Sequence, residues 1–160
     1  GGMPQLLTTV IEEGFRRLHT HLAAVPVTDD PVADLVGLAL AYRVAARENP
    51  YLYDLMFGLS TPGGHRLEQH APPTTDEPSM PQRAYGHLRA GRIPGQNARH
   101  AAAQLWSLLH GYITLELSGH FTQLDGPTQV FTPMGINLLV GLGDTPERAA
   151  HSAERAINDN

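Results

Sequence analysis

The sequence predicts an all-helical domain, and three observations carry that expectation. The segment Ala101 to Phe121, AAAQLWSLLHGYITLELSGHF, is too long for a strand and apolar nearly all round. In the first 25 residues Leu7, Val10, Ile11, Leu18, Leu22 and Val25 recur at helical spacing. Capping residues followed by proline (Asp30-Pro31, Asn49-Pro50 and Thr145-Pro146) punctuate the chain as helix starts.

Placed on a helix, Trp106, His110, Ile113, Leu117 and Phe121 fall along one line at spacings of three and four. Leu105, Leu109 and Tyr112 make a second stripe, and Leu108 and Leu115 a third. A helix apolar on several faces cannot lie on the surface of a soluble monomer. It must be wrapped by other helices, or by other helices plus a second copy of the chain.

The elements follow in order. The first helix is expected from Pro4 to Ala24, because proline suits a first helical position and Pro26 ends the pattern. Glu12, Glu13, Arg16 and Arg17 face water on it. Asp30 and Pro31 cap and open a second helix through Leu35, Leu38, Tyr42 and Ala45 to Glu48. Asn49-Pro50 stops that helix and starts a short third one, Pro50 to Phe57, with Gly58 as its stop. From Leu59 to Ser79 the chain is rich in Pro, Gly and Thr, the longest expected loop and a place for partner contacts.

A fourth helix is expected over Pro81 to Ala90, and the long helix over Asn97 to Gln123, broken by Asp125-Gly-Pro-Thr128. The next, Thr128 to Leu142, contains Pro133, which costs roughly 3 kcal/mol inside a regular helix. A kinked helix is expected, since Val130 and Phe131 continue the apolar face toward Leu138 and Leu139. Asp144-Thr-Pro146 caps a last, Ala-rich helix through Ile157, weakly amphipathic and docked on the surface. The expected architecture is a bundle of about six or seven helices.

At 160 residues the chain suffices for one domain with a real core. No run approaches the roughly 18 apolar residues of a membrane span, and no signal peptide is visible at the start. Cysteine is absent, which removes disulfides, thiolate metal sites and cysteine nucleophiles together and is compatible with a reducing cytoplasm. Every basic residue is arginine, a coding bias of the kind a GC-rich bacterial genome produces. The net charge is −5 and the arginines are scattered, so these residues carry no electrostatic footprint for nucleic acid.

Nine histidines invite a metal or enzyme reading, and their spacing does not support it. His19 and His21 lie about 200° apart around a helix, and His100, His110 and His120 are each separated by roughly 15 Å along one. No HExxH occurs, and His65 and His70 sit in the long loop. Ser107 and Ser118 lack a nucleophile elbow, and the glycines at 63–64 and 91–95 have no strand before them to make a phosphate loop. No metal, cofactor or catalytic residue is expected.

His110 reads either as a core histidine bonded to a neighbour or as a polar handle in a ligand cavity, titrating near neutral pH. Trp106, one turn earlier, is core or cavity wall. Glu116 is the sole charge within the apolar span, and a buried carboxylate needs a partner; an arginine on a neighbouring helix or on a dimer mate is expected. Gly111 costs about 1 kcal/mol of helix propensity against Ala, which close approach of another helix would explain. Tyr42, Tyr51, Tyr53, Met56 and Phe57 group around the Asn49-Pro50 corner, as core or as pocket.

Trp106-Ser-Leu-Leu-His110-Gly111, preceded by the turn GRIPGQN and followed by Leu115-Glu116-Leu117, resembles the C-terminal ligand-binding and dimerisation domain of TetR-type transcriptional regulators, in particular the subgroup with a Trp, His and Gly on this helix. Tyr42 to Gly58, YRVAARENPYLYDLMFG, is similar to the family's fifth and sixth helices. Gly1 to Leu22 is similar to the loop and fourth helix that follow its DNA-reading helix. The likeness spans residues 1–142.

The resemblance implies an effector-binding and dimerisation domain over 1–143, a short C-terminal helix or tail over 144–160, and a helix-turn-helix domain of about 40–50 residues before Gly1. It implies a pocket among the helices at 31–58, 81–91 and 97–123, with Tyr42, Met56, Phe57, Trp106 and His110 as ligand contacts. It implies a homodimer through a four-helix bundle of 97–123 and 128–142, with Leu115, Leu138, Leu139 and Leu142 at the interface. The implied function is a cytoplasmic, bacterial, non-enzymatic repressor that releases operator DNA on binding a small, mostly apolar effector. Operator DNA would be held through the missing domain only. The alternative is a helical protein-interaction module whose binding face is the 59–79 loop. A small helical enzyme or metal carrier has least in the residues to support it.

Overall fold

Asp30 and Pro31 show how locally this fold is punctuated. In the computed structural model the Asp30 carboxylate accepts from the backbone N–H groups of Val32 and Ala33 at 3.0 and 3.1 Å, and Pro31 opens the helix that follows. The structure describes residues 2–57, 80–89, 93 and 98–159. Among them are seven helices and no strand: α1 (Met3–Ala23), α2 (Pro31–Glu48), α3 (Pro50–Phe57), α4 (Met80–Arg89), α5 (Ala98–Leu117), α6 (Thr132–Gly141) and α7 (Pro146–Asn158). The stretch expected to form the long loop, 59–79, lies outside the described residues, as does most of the 91–97 turn.

The hub of the bundle is α2, which packs against α1, α3, α4, α5 and α7. Its Val32, Leu35, Leu38, Tyr42 and Ala46 are all buried. The start of α2 is also where distant elements are tied. Ser152 of α7 donates to Asp30 at 2.6 Å. The Asp34 carboxylate, buried, accepts from the Thr28 N–H at 3.0 and 3.1 Å and from the Thr28 hydroxyl at 2.7 Å. His87 of α4 stands 3.4 Å from the same carboxylate, and Arg83 donates to the Leu22 carbonyl at the end of α1.

Two expectations are corrected. The long helix does not reach Gln123: α5 ends at Leu117 because Gly119 takes φ +80° and the chain turns off. The Gly119 N–H bonds the Glu116 carbonyl at 3.0 Å and the His120 N–H bonds that of Leu115 at 3.0 Å, the paired bonds of a glycine-terminated helix. Second, α7 is no loosely docked tail. Ala149, Ser152, Ala153 and Ala156 are buried against the core, so its polar opposite face makes it strongly two-sided. Within the subunit α5 keeps one flank open, where Gln104, Ser107, Gly111 and Leu115 are exposed.

Pro133 is accommodated without a break. A wider turn, Pro127–Phe131, closes with the Thr132 N–H on the Pro127 carbonyl, and Phe131 and Thr132 both hold helical dihedrals into α6. Such a turn loosens the ladder where a proline would otherwise meet the carbonyl four residues before it. The helix therefore runs through the proline.

Candidate functional site

The corner at Asn49 sets the site. Asn49, with φ −138° and ψ 70°, leaves the helical region, and its carbonyl still accepts from the Tyr53 N–H at 2.9 Å. The chain re-enters a helix in a new direction, so α3 lays Tyr53 and Phe57, one turn apart, toward α5. From α2 comes Tyr42, and from α5 come Trp106 and His110, again one turn apart.

The other four side chains converge on the His110 imidazole. The ring centroids of Phe57, Trp106, Tyr53 and Tyr42 lie 4.2, 4.4, 5.5 and 5.9 Å from that of His110. Tyr42 and Trp106 meet edge to face at 5.4 Å, and the Tyr53 ring tilts against Phe57 at 4.9 Å. Each such pair contributes about 0.5–1.5 kcal/mol beyond area burial. The Tyr53 hydroxyl is 2.7 Å from His110 Nδ1, and the Tyr42 hydroxyl is 3.4 Å from Nε2. Burial pushes the imidazole pKa down to about 4, so it is neutral at physiological pH with one N–H and one lone pair. Burial likewise pushes both phenols up, keeping them protonated.

Of the five expected ligand contacts, Tyr42, Phe57, Trp106 and His110 are brought together. Met56 is not. It lies on the opposite face of α3, against α1. A Cβ on Gly14 would come within 2.5 Å of Met56 Sδ, 2.9 Å of its Cγ and 3.1 Å of Leu52 Cδ1, so glycine is what lets α3 approach α1 this closely. Phe57 spans the two sides, meeting Phe15 of α1 at 5.9 Å as well as the imidazole. Tyr51 is 90% exposed and takes no part. Tyr53 takes the place Met56 was expected to fill. Its i, i+4 relation to Phe57 was the available signal.

Glu116 has the arginine partner its burial demands. Arg43 of α2 reaches both carboxylate oxygens from Nε, at 2.8 and 3.1 Å, and again from Nη2. The Tyr112 hydroxyl adds a donor at 3.3 Å, while its ring stacks on Phe121 and tilts against Phe131.

A separate narrow apolar groove of about 50 Å³, partly open to solvent, lies among α2, α5, α6 and α7. Leu40, Leu105, Leu108, Phe131, Ile136 and Leu139 line it.

The four expected interface leucines divide. Leu115 is 43% exposed and Leu138 partly exposed, leaving both surface to offer. Leu139 and Leu142 are 1% and 3% exposed and already part of the subunit's own core, so they have none left for a second subunit. Beside the first pair, a Cβ built on Gly111, Gly135 or Gly141 would meet nothing within 4 Å.

Among the described residues no group of three His, Asp or Glu side chains is placed to hold a metal ion. No helix there is long and apolar enough to cross a membrane. His65, His70 and the 59–79 face lie outside the described residues.

Residues 35–135 match the family described as tetracyclin repressor-like, C-terminal domain. An uncharacterised HTH-type transcriptional regulator of Mycobacterium tuberculosis (strain ATCC 25618 / H37Rv) is 33% identical over 114 residues, covering 71% of this chain and 48% of that protein. The chain therefore spans about half the length of the curated relative it matches. No solved structure matches it.

Proposed function

The chain belongs to the TetR-like transcriptional regulators, matching their C-terminal domain, and from that premise we propose that it binds a small, mostly apolar effector at the His110 cluster and thereby releases operator DNA. The DNA would be held by a helix-turn-helix domain that is not among these residues. Two copies would pair through α5 and α6, with Leu115 and Leu138 at the contact and Gly111, Gly135 and Gly141 letting the helices come close. The protein acts as a repressor in a bacterial cytoplasm and carries out no chemistry of its own.

One observation carries this reading: α3 is held from both sides. Tyr53 and Phe57 enter the His110 cluster, while Leu52 and Met56 close on Gly14 of α1. A ligand that resets the rings of the cluster must shift α3, and α3 cannot shift without moving against α1. Because α1 precedes the rest of this domain, its tilt would set the spacing of two DNA-reading heads. Half-sites one turn apart, about 34–36 Å, tolerate little change in that spacing. Effector and operator then oppose each other through a coupling of about 1–3 kcal/mol.

The test is the operator affinity of the full-length protein with and without a ligand that perturbs Trp106. A loss of roughly fivefold to 150-fold supports the reading. An unchanged affinity with the ligand bound refutes it.

A further inference from the structure

The polar centre of the cluster carries no charge. His110 is neutral because of burial alone, and the phenols of Tyr42 and Tyr53 are affected by burial and by each other. Among the described residues no charged side chain contributes to any of the three. His87 differs: burial, first, holds its pKa below the ordinary value, but there charged neighbours also act, Asp34 raising it and Arg83 lowering it. The ion pair on the same two helices, Arg43–Glu116, is closed on itself, both carboxylate oxygens being engaged by the guanidinium.

Access is one-sided. Tyr42 and Tyr53 are buried, whereas Phe57, Trp106 and His110 are each partly exposed. A ligand arriving there meets two aromatic walls and one neutral imidazole. The longer of the two imidazole bonds, Tyr42 Oη to Nε2 at 3.4 Å, is the weaker and the more easily exchanged. A charged group brought to this centre would leave water without a counter-charge. An uncharged hydroxyl brings no charge to bury, and in exchange for the long Tyr42 bond it can either donate to or accept from the imidazole whichever nitrogen holds the proton.

We infer that the site takes an uncharged aromatic molecule bearing a hydroxyl group, its ring against Trp106 and Phe57 and its hydroxyl hydrogen-bonded to His110. The inference rests on the reading that this cluster is the effector site.

Trp106 is the chain's one tryptophan, so its fluorescence reports this cluster and nothing else. Four probes share a biphenyl frame: 4-phenylphenol, biphenyl, biphenyl-4-carboxylate and a biphenyl trimethylammonium. The phenol is expected to shift Trp106 emission saturably and to bind at least about tenfold more tightly than the other three. In His110→Phe its advantage over biphenyl should shrink to about twofold or less. His110→Leu, checked by circular dichroism, stands in if that variant fails to fold.

Equal or tighter binding of the carboxylate or the ammonium overturns the ligand class and leaves the effector site standing; aromatic rings can favour a cation, which makes the ammonium the sharper control. An undiminished phenol preference in the folded His110 variants also overturns it. If none of the probes moves Trp106 the ligand class is overturned, and if an effector releases operator DNA without moving Trp106 the site itself is refuted.

Discussion

Gly111 offers the sharpest test of how α5 is used. It sits mid-helix, and a Cβ placed on it would meet no atom within 4 Å in the subunit. Glycine at an interior helix position is about 1 kcal/mol less favourable than alanine. Gly111→Ala should therefore stabilise the isolated subunit by about 1 kcal/mol, a rise in Tm of about 2–4 °C for a chain of this size. Close packing of a second α5 over this face reverses the sign for anything larger. Gly111→Leu should keep the dilute subunit folded and weaken pairing by at least tenfold, about 1.4 kcal/mol. Sedimentation equilibrium gives the pairing constant. Thermal unfolding across a concentration series separates subunit stability from mass action. A Gly111→Leu protein that dimerises as tightly as the parent would refute the argument, as would a parent protein that stays monomeric at high concentration.

Other perturbations have equally definite outcomes. Glu116→Ala leaves the Arg43 guanidinium largely buried without its partner and should cost about 3 kcal/mol in urea unfolding, whereas the double change Arg43→Met with Glu116→Leu should recover most of that loss. Gly14→Ala should forfeit the alanine gain expected at an open helix site, because its methyl displaces Met56; overpacking of about 1–3 kcal/mol offsets the propensity, and stability equal to or below the parent's checks it. His110 makes stability depend on pH. Its folded pKa of about 4 lies below the ordinary 6.5, so between those values the unfolded chain binds the extra proton. Its contribution is complete above pH 6.5 and is lost as pH falls toward 4, by up to about 3 kcal/mol. Urea unfolding at stepped pH should show that slope in the parent and lose it in His110→Gln.

Helix starts were readable because capping is local. Asp30, Asn49 and Thr145 each act within three or four residues of themselves, and proline after each states the same thing twice. The need of Glu116 for a cation was readable from burial cost alone, although nothing in the sequence named Arg43, 73 residues away. The end of α5 was not readable. Leu117 and Phe121 continue the apolar line past Gly119, and only the glycine's left-handed φ stops the helix. The role of α7 was hidden for a different reason: alanines add little to a hydrophobic pattern, yet four small side chains let a helix lie close against α2.

Leu138 and Leu139 are neighbours of identical chemistry, one partly exposed and one sealed in the core. Met56 and Phe57 divide likewise, one against α1 and one against His110. Adjacent helical residues point about 100° apart, and which of them faces inward depends on the helices that arrive from elsewhere. Composition, periodicity and caps were enough to specify a helical bundle, since those signals act within a few residues, while the family was legible only through the resemblance carried by Trp106–Gly111, Tyr42–Gly58 and Gly1–Leu22. Choosing Tyr53 over Met56 for the imidazole, and Arg43 for Glu116, required helices distant in sequence to meet. Those choices depend on long-range packing, and no short stretch of the chain contains them.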